Sequence, residues 1–170
     1  VAMYRGSDPA AQDWTLVGTY FVGEVPNSRK IVAEHGAEMY VLSTFGLASL
    51  SALLGGVAAS DPRAGPSAKI NKFLRRDVEV LKERREWSIR IFPGDGFLQI
   101  IVPKKANQPY RQYNQNLTTR AWGIWEDVPV VSAATWNGEY YMGDDSGAVQ
   151  WYNGALDGAT LTEPDSGEGV

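Results

Sequence analysis

The sequence predicts a mainly β protein, built of antiparallel sheets arranged like propeller blades, with one inserted α-helix over about residues 68–86. Most apolar stretches are short, rich in β-branched and aromatic residues, and separated by Gly or Pro turns, which favours strands. Residues 36–51 and 137–152 also repeat one strand-turn-strand pattern. At a constant offset of 101 residues, the matched pairs are Glu38 with Glu139, Tyr40 with Tyr141 and Gly46 with Gly147. A repeat of this size is typical of an array of sheets, although shared turn chemistry would also give such a match.

Composition bounds the classes of function that the chain can have. Its 170 residues, 44% hydrophobic and 11% aromatic, are enough for one core or a few repeats. The absence of Cys excludes a disulfide framework and a thiolate metal site. The net charge of −4 argues against a dedicated nucleic-acid binder. No apolar run approaches the roughly 20 residues that span a bilayer, so no membrane partner is expected.

The first third of the chain predicts strands and one loop. Residues 1–6 resemble the end of the second repeat copy, so we interpret them as the closing strand of a preceding unit in a longer chain. Residues 14–22 and 30–34 predict two strands before the first repeat copy. Residues 55–66, rich in Gly, Ala and Pro, predict a mobile surface loop.

Residues 68–86 give the one convincing helical pattern. The apolar residues at helical spacing are Ile70, Phe73, Leu74, Val78 and Leu81. Ser67 is in position to cap the helix. Basic residues on the other face could bind phosphate, but acidic residues alternate with them, and this favours a solvated, ion-paired face.

The second half predicts a four-stranded unit followed by the second repeat copy. Its strands are expected at residues 87–92, 97–102, 110–114 and 121–125, and residues 130–134 lead into the repeat. Residues 1–154 therefore predict one propeller-like segment of about three sheets. Residues 155–170 are mostly small and acidic, and we expect a flexible tail.

No residue pattern predicts catalysis, a cofactor or a metal with any specificity. His35 is the sole His, so a triad or an imidazole zinc site has no partners. Asp144 and Asp145 are the nearest approach to a hard-metal loop, but an Asp- and Gly-rich β-turn explains them equally well. A hydrolytic pair could come from the carboxylates in loop positions, although no spacing selects one. These carboxylates are Asp13, Glu24, Asp95, Glu126 and Asp127.

Contact residues are predicted from exposed charge and from the strand pattern. The six Trp all fall in or beside predicted strands, which favours packing over a stacking platform. Trp122 and Trp125 cannot both point inward from one regular strand, so one of them is expected to be an exposed contact. The interface candidates are Arg75, Arg76, Lys104, Lys105, Trp122 and Trp125, together with the loops at 55–66 and 103–109.

The order of several short motifs resembles that of tailed-phage virion proteins with β-propeller-like platforms, close to the tail nozzle and packaged-DNA-stabilisation proteins of short-tailed phages. The motifs extend over about residues 4–153, and the order and spacing rather than any one motif carry the likeness. They are Tyr4-x-Gly6-x-Asp8-Pro9, Trp14-x-Leu16-Val17-Gly18, Gly23-Glu24-Val25-Pro26, Val41-Leu42-Ser43-Thr44-x-Gly46 with Leu50-Ser51, Lys69-Ile70-Asn71, Asn116-x-x-Thr119-x-Ala121-Trp122, and Tyr140-Tyr141-Met142-Gly143 with Gly147.

The resemblance implies a mechanical role in the virion, and it supplies no catalytic residues. The chain would be a non-enzymatic subunit of a ring around the DNA passage, with copies of itself and neighbouring tail or portal-adaptor proteins as partners. DNA would pass without specific binding, which suits a negative chain. Two other hypotheses stay open: a carbohydrate-binding or carbohydrate-cleaving propeller module, and a DNA-binding module that uses the basic helix.

Overall fold

The structure is a computed structural model that describes residues 1–61, 63 and 65–152, so the whole of the predicted tail, residues 155–170, and residues 153 and 154 lie outside it. Within the described residues the chain forms twelve strands in four antiparallel sheets, and two helices. The prediction of a mainly β protein is therefore confirmed.

Each sheet is formed by strands that are consecutive in the chain. The first sheet contains β1 (Ala2–Arg5) and β2 (Thr15–Thr19). The second contains β3 (Val32–His35), β4 (Glu38–Ser43) and β5 (Gly46–Ser49). The third contains β6 (Ser88–Phe92), β7 (Phe97–Val102), β8 (Arg111–Asn116) and β9 (Trp122–Glu126). The fourth contains β10 (Ser132–Trp136), β11 (Glu139–Gly143) and β12 (Val149–Trp151). The helices α1 (Leu50–Leu54) and α2 (Asn71–Leu81) lie between the second and third sheets in the chain.

The count of four sheets differs from the expected three or so because β1 forms a sheet with β2. Residues 1–6 were expected to close a preceding unit. Instead β1 pairs antiparallel with β2 and places Tyr4 opposite Leu16. The register shifts between Met3 and Tyr4, and such a bulge increases the local twist of a strand pair.

The repeat predicted from the sequence corresponds to two three-stranded sheets. The β3–β4 hairpin closes at the pair His35 and Glu38, and the β10–β11 hairpin closes at Trp136 and Glu139, which is the same offset of 101. The two copies diverge at the next turn. β4 and β5 close at Ser43 and Gly46, whereas β11 and β12 close at Gly143 and Val149, so the second turn is longer.

Helix α2 is shorter than the predicted 68–86. Ser67 does not cap it, because the buried Ser67 Oγ donates to Asn71 Oδ1 at 2.6 Å and accepts from Leu47 N at 2.8 Å, which ties it to β5. At the other end, Trp87 Nε1 donates to the Leu81 carbonyl at 2.9 Å and Asn27 N donates to the Lys82 carbonyl at 2.6 Å. These donors satisfy carbonyls that a longer helix would use itself.

Helix α1 occupies the start of a stretch that the sequence predicted as strand and loop. Ser49 is its N-cap, and Ser49 Oγ accepts a hydrogen bond from Ala52 N. A Ser at this position satisfies a helix N–H that would otherwise have no partner. The buried side chain of Leu53 then anchors the helix against the second sheet.

The largest core lies between the second sheet, α2 and one face of the third sheet. Its buried residues are Tyr40, Leu42, Leu47, Ile70, Leu74, Val78, Trp87, Ile89, Leu98, Ile100, Val102 and Tyr113. Each buried aliphatic side chain of this kind contributes about 1.5–3 kcal/mol relative to an exposed one. This core therefore fixes the second sheet, α2 and the third sheet as one unit.

Two smaller cores cover the opposite faces of the second and third sheets. Phe92 and Ile101, on the other face of the third sheet, pack with Tyr140 and Met142 of the fourth sheet. On the second sheet, Val41 and Ala48 pack with Val22 and Leu53. The second and third sheets are thus covered on both faces. No residue of β1 or β2 belongs to these cores, and the first and fourth sheets, the first and last along the described chain, are called the end sheets.

A polar patch interrupts the face that the third sheet turns to the fourth. It consists of Gln99, Gln112 and Asn114, all buried. Tyr140 Oη donates to Gln99 Oε1 at 2.6 Å, and Gln112 Nε2 donates to the Val128 carbonyl at 3.1 Å. Gln99 Nε2, Gln112 Oε1 and both amide atoms of Asn114 have no hydrogen-bond partner within the part of the chain that the structure describes. This interface is consequently less well satisfied than the main core.

Candidate interaction surface

The outer face of the fourth sheet carries aromatic and aliphatic side chains exposed to solvent. Because Tyr140 and Met142 point into the core, the alternate residues of the sheet point away from it. Of these, Trp136 is 70% exposed, Val149 73% and Trp151 44%. Register places Tyr141 opposite Trp151, and the rings of Trp136 and Tyr141 meet edge to face at 6.0 Å. A grouped aromatic face of this kind is typical of a contact surface.

Two turns hold this face in place. Asn137 and Gly138 have φ of 51° and 83°, the conformation of a tight hairpin turn that Asn-Gly favours. Asp144 organises the next turn, because its Oδ1 accepts from Ser146 N at 2.9 Å, Ser146 Oγ at 2.7 Å and Ala148 N at 2.9 Å. The hydrogen bond from the Ser146 side chain, with smaller contributions from backbone donors, lowers the pKa of the Asp144 carboxyl.

The two predicted metal candidates are committed to structural contacts. Asp144 holds its own turn, and Asp145 Oδ2 accepts a hydrogen bond from Tyr110 Oη. Lys104 Nζ donates to Tyr110 Oη at 2.7 Å and lies 3.5 Å from Asp145 Oδ2. The Tyr110 hydrogen bond is the main cause of the lowered pKa of Asp145. Among residues 1–61, 63 and 65–152, no group of three His, Cys, Asp or Glu side chains could hold a metal ion.

The repeated glutamates perform the same structural role in the two three-stranded sheets. Glu139 Oε2 accepts from Trp151 Nε1 at 3.1 Å, which joins the first hairpin turn to the third strand. Glu38 Oε2 likewise accepts from Ser49 Oγ at 2.7 Å and from Ser51 Oγ. Partial burial opposes the charge on Glu38, but the hydrogen bonds from Ser51 and Ser49 outweigh it and lower the pKa of Glu38. A structural function thus accounts for the matched glutamates.

A second apolar surface lies on and beside the first sheet, which is the other end sheet. No residue of β1 or β2 is buried, and Tyr4, Leu16 and Val17 are each more than half exposed. The Tyr4 ring stacks on Trp14 at 5.6 Å, and Phe21, just after β2, is 77% exposed. A two-stranded hairpin is marginally stable in water, so this sheet needs further packing.

Four of the predicted interface residues are basic, and they lie in three different environments. Arg75 Nε donates to the Thr44 carbonyl at 3.0 Å and its guanidinium lies 5.7 Å from the Phe45 ring centroid. Lys104 is held by Tyr110 and Asp145. Arg76 and Lys105 line one cleft of about 270 Å³ between α2 and the 103–109 loop. Only this last pair is brought together.

Trp122 and Trp125 differ from the expectation that one of them is exposed. They do point to opposite faces of β9, but both faces of the third sheet are covered. Trp122 packs against the main core and donates from Nε1 to the Pro66 carbonyl at 3.0 Å. Trp125 packs beside Phe97 and stacks on Tyr152 at 5.6 Å. Both are half-buried. The prediction that the two rings point to opposite faces of the strand was therefore correct, but neither face is open to solvent as expected.

Sequence reasoning missed the exposed Trp136 and Trp151. It favoured packing for all six Trp, which holds fully for Trp87, 0% exposed. The adjacent Tyr140 and Tyr141 were the available signal, because neighbouring strand residues point to opposite faces and both would have to be covered. At the end of an array one of those faces has no neighbouring sheet.

An ion-pair network joins α2 to the third sheet and ties up one of the predicted hydrolytic carboxylates. Arg111 NH1 donates to Asp77 Oδ2 at 3.1 Å, and Arg111 NH2 donates to Glu126 Oε1 at 2.8 Å. Tyr113 Oη also donates to Asp77 Oδ2, at 2.6 Å. Burial first, and then the bond to Asp77, raise the pKa of the Tyr113 phenol. Another predicted carboxylate, Glu24, is bound to Lys82 at 2.7 Å. Glu24 and Glu126 are therefore each paired with a cation.

The chain has no significant match among protein-family models, curated proteins or solved structures. In the described residues, neither helix has the length and apolar character needed to cross a membrane.

Proposed function

We propose that the chain is a non-enzymatic structural subunit of a phage tail, which associates with copies of itself in a ring through its two end sheets. The observation that carries the proposal is the pair of exposed apolar surfaces on the two end sheets: Trp136, Val149 and Trp151 on the fourth, Tyr4 and Leu16 on the first. A single binding site for a small ligand would account for only one of them.

The arrangement of sheets supports assembly by head-to-tail contact. The third sheet packs through one face on the fourth sheet and through the other face, together with α2, on the second sheet, as neighbouring blades of a propeller pack. If the same packing continues between copies, the first sheet of one copy covers the outer face of the fourth sheet of the next. A contact between unlike surfaces generates a ring or a filament rather than a two-fold dimer.

The resemblance in motif order supplies the phage context of the proposal. It places the chain in the virion, with neighbouring tail or portal-adaptor proteins as further partners and DNA passing through the ring. The net charge of −4 suits a passage that does not retain phosphates. The ion-paired state of Glu24 and Glu126 agrees with a role that involves no hydrolysis.

The assembly proposal can be tested with two variants, each altered at one end. Trp136→Ser removes the aromatic from the fourth sheet, and Leu16→Ser removes the aliphatic residue from the first. Wild-type chain is expected to form a discrete oligomer by light scattering, and each variant alone is expected to be a monomer. An equimolar mixture should form a dimer, because each variant keeps the surface that the other lacks.

The control is Phe73→Ser on α2, an apolar residue 44% exposed that lies on neither end sheet, and it should leave the oligomer intact. A monomeric wild-type chain would overturn the assembly proposal. A Leu16→Ser variant that still self-associates would show that the fourth sheets bind each other, and would overturn the head-to-tail contact. Recovery of the chain in purified virion tails, or its absence from them, tests the phage context separately.

A carbohydrate-binding module is the second candidate, and one observation favours it. Trp136, Trp151 and Glu139 share one face of the fourth sheet, and aromatic rings beside a carboxylate can hold a sugar. This function predicts a monomer whose tryptophan fluorescence changes on addition of an oligosaccharide. The change should be lost in Trp136→Ser and kept in Leu16→Ser.

A further inference from the structure

A basic cleft lies between residues 24–30 and the C-terminal end of α2, away from both end sheets. It has a volume of about 770 Å³, and the residues that line it include four cations and two anions. The cations are Arg29, Lys30, Lys82 and Arg85, and the anions are Glu24 and Glu83. A local excess of positive charge is notable on a chain whose net charge is −4.

Backbone contacts hold the two walls of the cleft together. Asn27 N donates to the Lys82 carbonyl at 2.6 Å, and Ser28 Oγ donates to the Trp87 carbonyl at 2.6 Å. Ile89 N donates to the Lys30 carbonyl at 2.7 Å. Residues 27–30 are therefore fixed against the segment that leaves α2, so the cleft exists before any ligand binds.

The charges inside the cleft are unequally compensated. Lys82 Nζ bonds to Glu24 at 2.7 Å and to Glu79 at 3.1 Å, and these bonds, that to Glu24 first, raise the pKa of the ammonium. Both carboxylates are thereby committed to Lys82. Arg29, Lys30 and Arg85 make no ion pair with a described residue, and Glu83 is the one remaining anion of the lining.

We propose that this cleft binds a polyanion of the phosphate class, with Arg29, Lys30 and Arg85 as the binding groups. Three cations that form no ion pair with a described residue, against the single carboxylate of Glu83, suit a ligand that carries several negative groups, whereas a single carboxylate would engage only one of them. Guanidinium groups also match the oxygens of a phosphate in pairs. A free polyphosphate and a nucleic-acid backbone share this chemistry.

The proposal is tested with sodium tripolyphosphate and with a short oligothymidylate, titrated separately into the full chain by calorimetry at low salt. Arg29→Ala/Lys30→Ala is the test variant. The two side chains that it removes are exposed and form no ion pair with a described residue, so the variant is expected to fold. Lys72→Ala/Lys105→Ala is the control, because it removes the same charge from exposed positions outside the cleft. Circular dichroism checks that both variants are folded.

Wild type and control are expected to bind tripolyphosphate with similar affinity, and the test variant at least about tenfold more weakly. If the source is a nucleic-acid backbone, the oligothymidylate also binds. The plot of log association constant against log salt concentration should then be shallower in the test variant, by about 0.7 in slope for each cation removed. Lack of binding of either probe to wild type, or equal losses in the test and control variants, would overturn the proposal.

Discussion

Among the polar contacts between α2 and the third sheet, those of Asp77 are expected to contribute most to stability. Its carboxylate is largely covered, with 14% of the side chain exposed, and it accepts bonds from Tyr113 Oη and Arg111 NH1. Asp77→Ala would leave the Tyr113 hydroxyl without its acceptor beside the core. Removing one partner of a buried ion pair costs about 3–5 kcal/mol.

The lower end of that range applies, because Arg111 keeps its second partner Glu126. Better helix propensity of Ala offsets at most about 0.7 kcal/mol. We therefore expect Asp77→Ala to lower the free energy of unfolding by about 2–3 kcal/mol. Tyr113→Phe removes one hydrogen bond to a charged acceptor and should cost about 1.5 kcal/mol.

Glu126→Ala provides the matched comparison. Glu126 binds the same guanidinium at 2.8 Å, but its side chain is 49% exposed, so its loss should cost less than about 1 kcal/mol. Urea unfolding followed by tryptophan fluorescence measures all three variants, since Trp87 is fully buried in the adjacent core. For Asp77→Ala the midpoint should fall by about 1 M or more at unchanged m-value. Equal costs for Asp77→Ala and Glu126→Ala, or no cost for Tyr113→Phe, would refute the reasoning.

Two further predictions concern a carboxylate and a turn. The lowered pKa of Glu38 contributes stability that is present above the unfolded-state value of about 4.3 and is lost as the pH falls through the folded-state value. Glu38→Gln should therefore flatten the acid side of the stability profile below about pH 5, and an unchanged profile would contradict this. Gly138 has φ of 83° and open space around its missing Cβ, so Gly138→Ala should cost about 1 kcal/mol through the backbone alone. Gly123→Ala, also in open space but without a positive φ, should change the unfolding free energy by less than about 0.5 kcal/mol, and equal effects of the two changes would refute the account.

The sequence carried enough information to predict the local elements of the fold. Short β-branched and aromatic runs predicted β7 with its correct bounds, and the apolar spacing of Leu74 and Val78 predicted the buried side of α2. The offset between Glu38 and Glu139 identified two related three-stranded sheets. These features depend on residues close together in the chain, and local patterns report them well.

Most of the features that the sequence did not predict depend on distant contacts. Helix α1 is the exception, because its Ser49 cap is a local signal that the strand prediction passed over. The C-terminal bound of α2 is set by Asn27 and Trp87, which satisfy carbonyls there, and no helical periodicity contains that information. The exposure of Trp136 and the burial of Trp122 depend on which sheets have a neighbour on each face. The basic cleft likewise joins Arg29 and Arg85, which lie far apart in the chain.

The polar patch of Gln99, Gln112 and Asn114 lies at the interface between the third and fourth sheets. We expect this interface to be less stable than the main core. The interface between the third and fourth sheets contains five buried apolar residues, against twelve in the main core, and it also carries four of the five buried amide atoms that lack partners among the described residues. Opening this interface therefore exposes less apolar surface and releases poorly satisfied groups to water. The fourth sheet should consequently separate in brief sub-global openings while the second sheet, α2 and the third sheet stay folded. In the proposed ring, an end sheet that opens in this way would let the chain adjust its contact angle to a neighbour without unfolding the core.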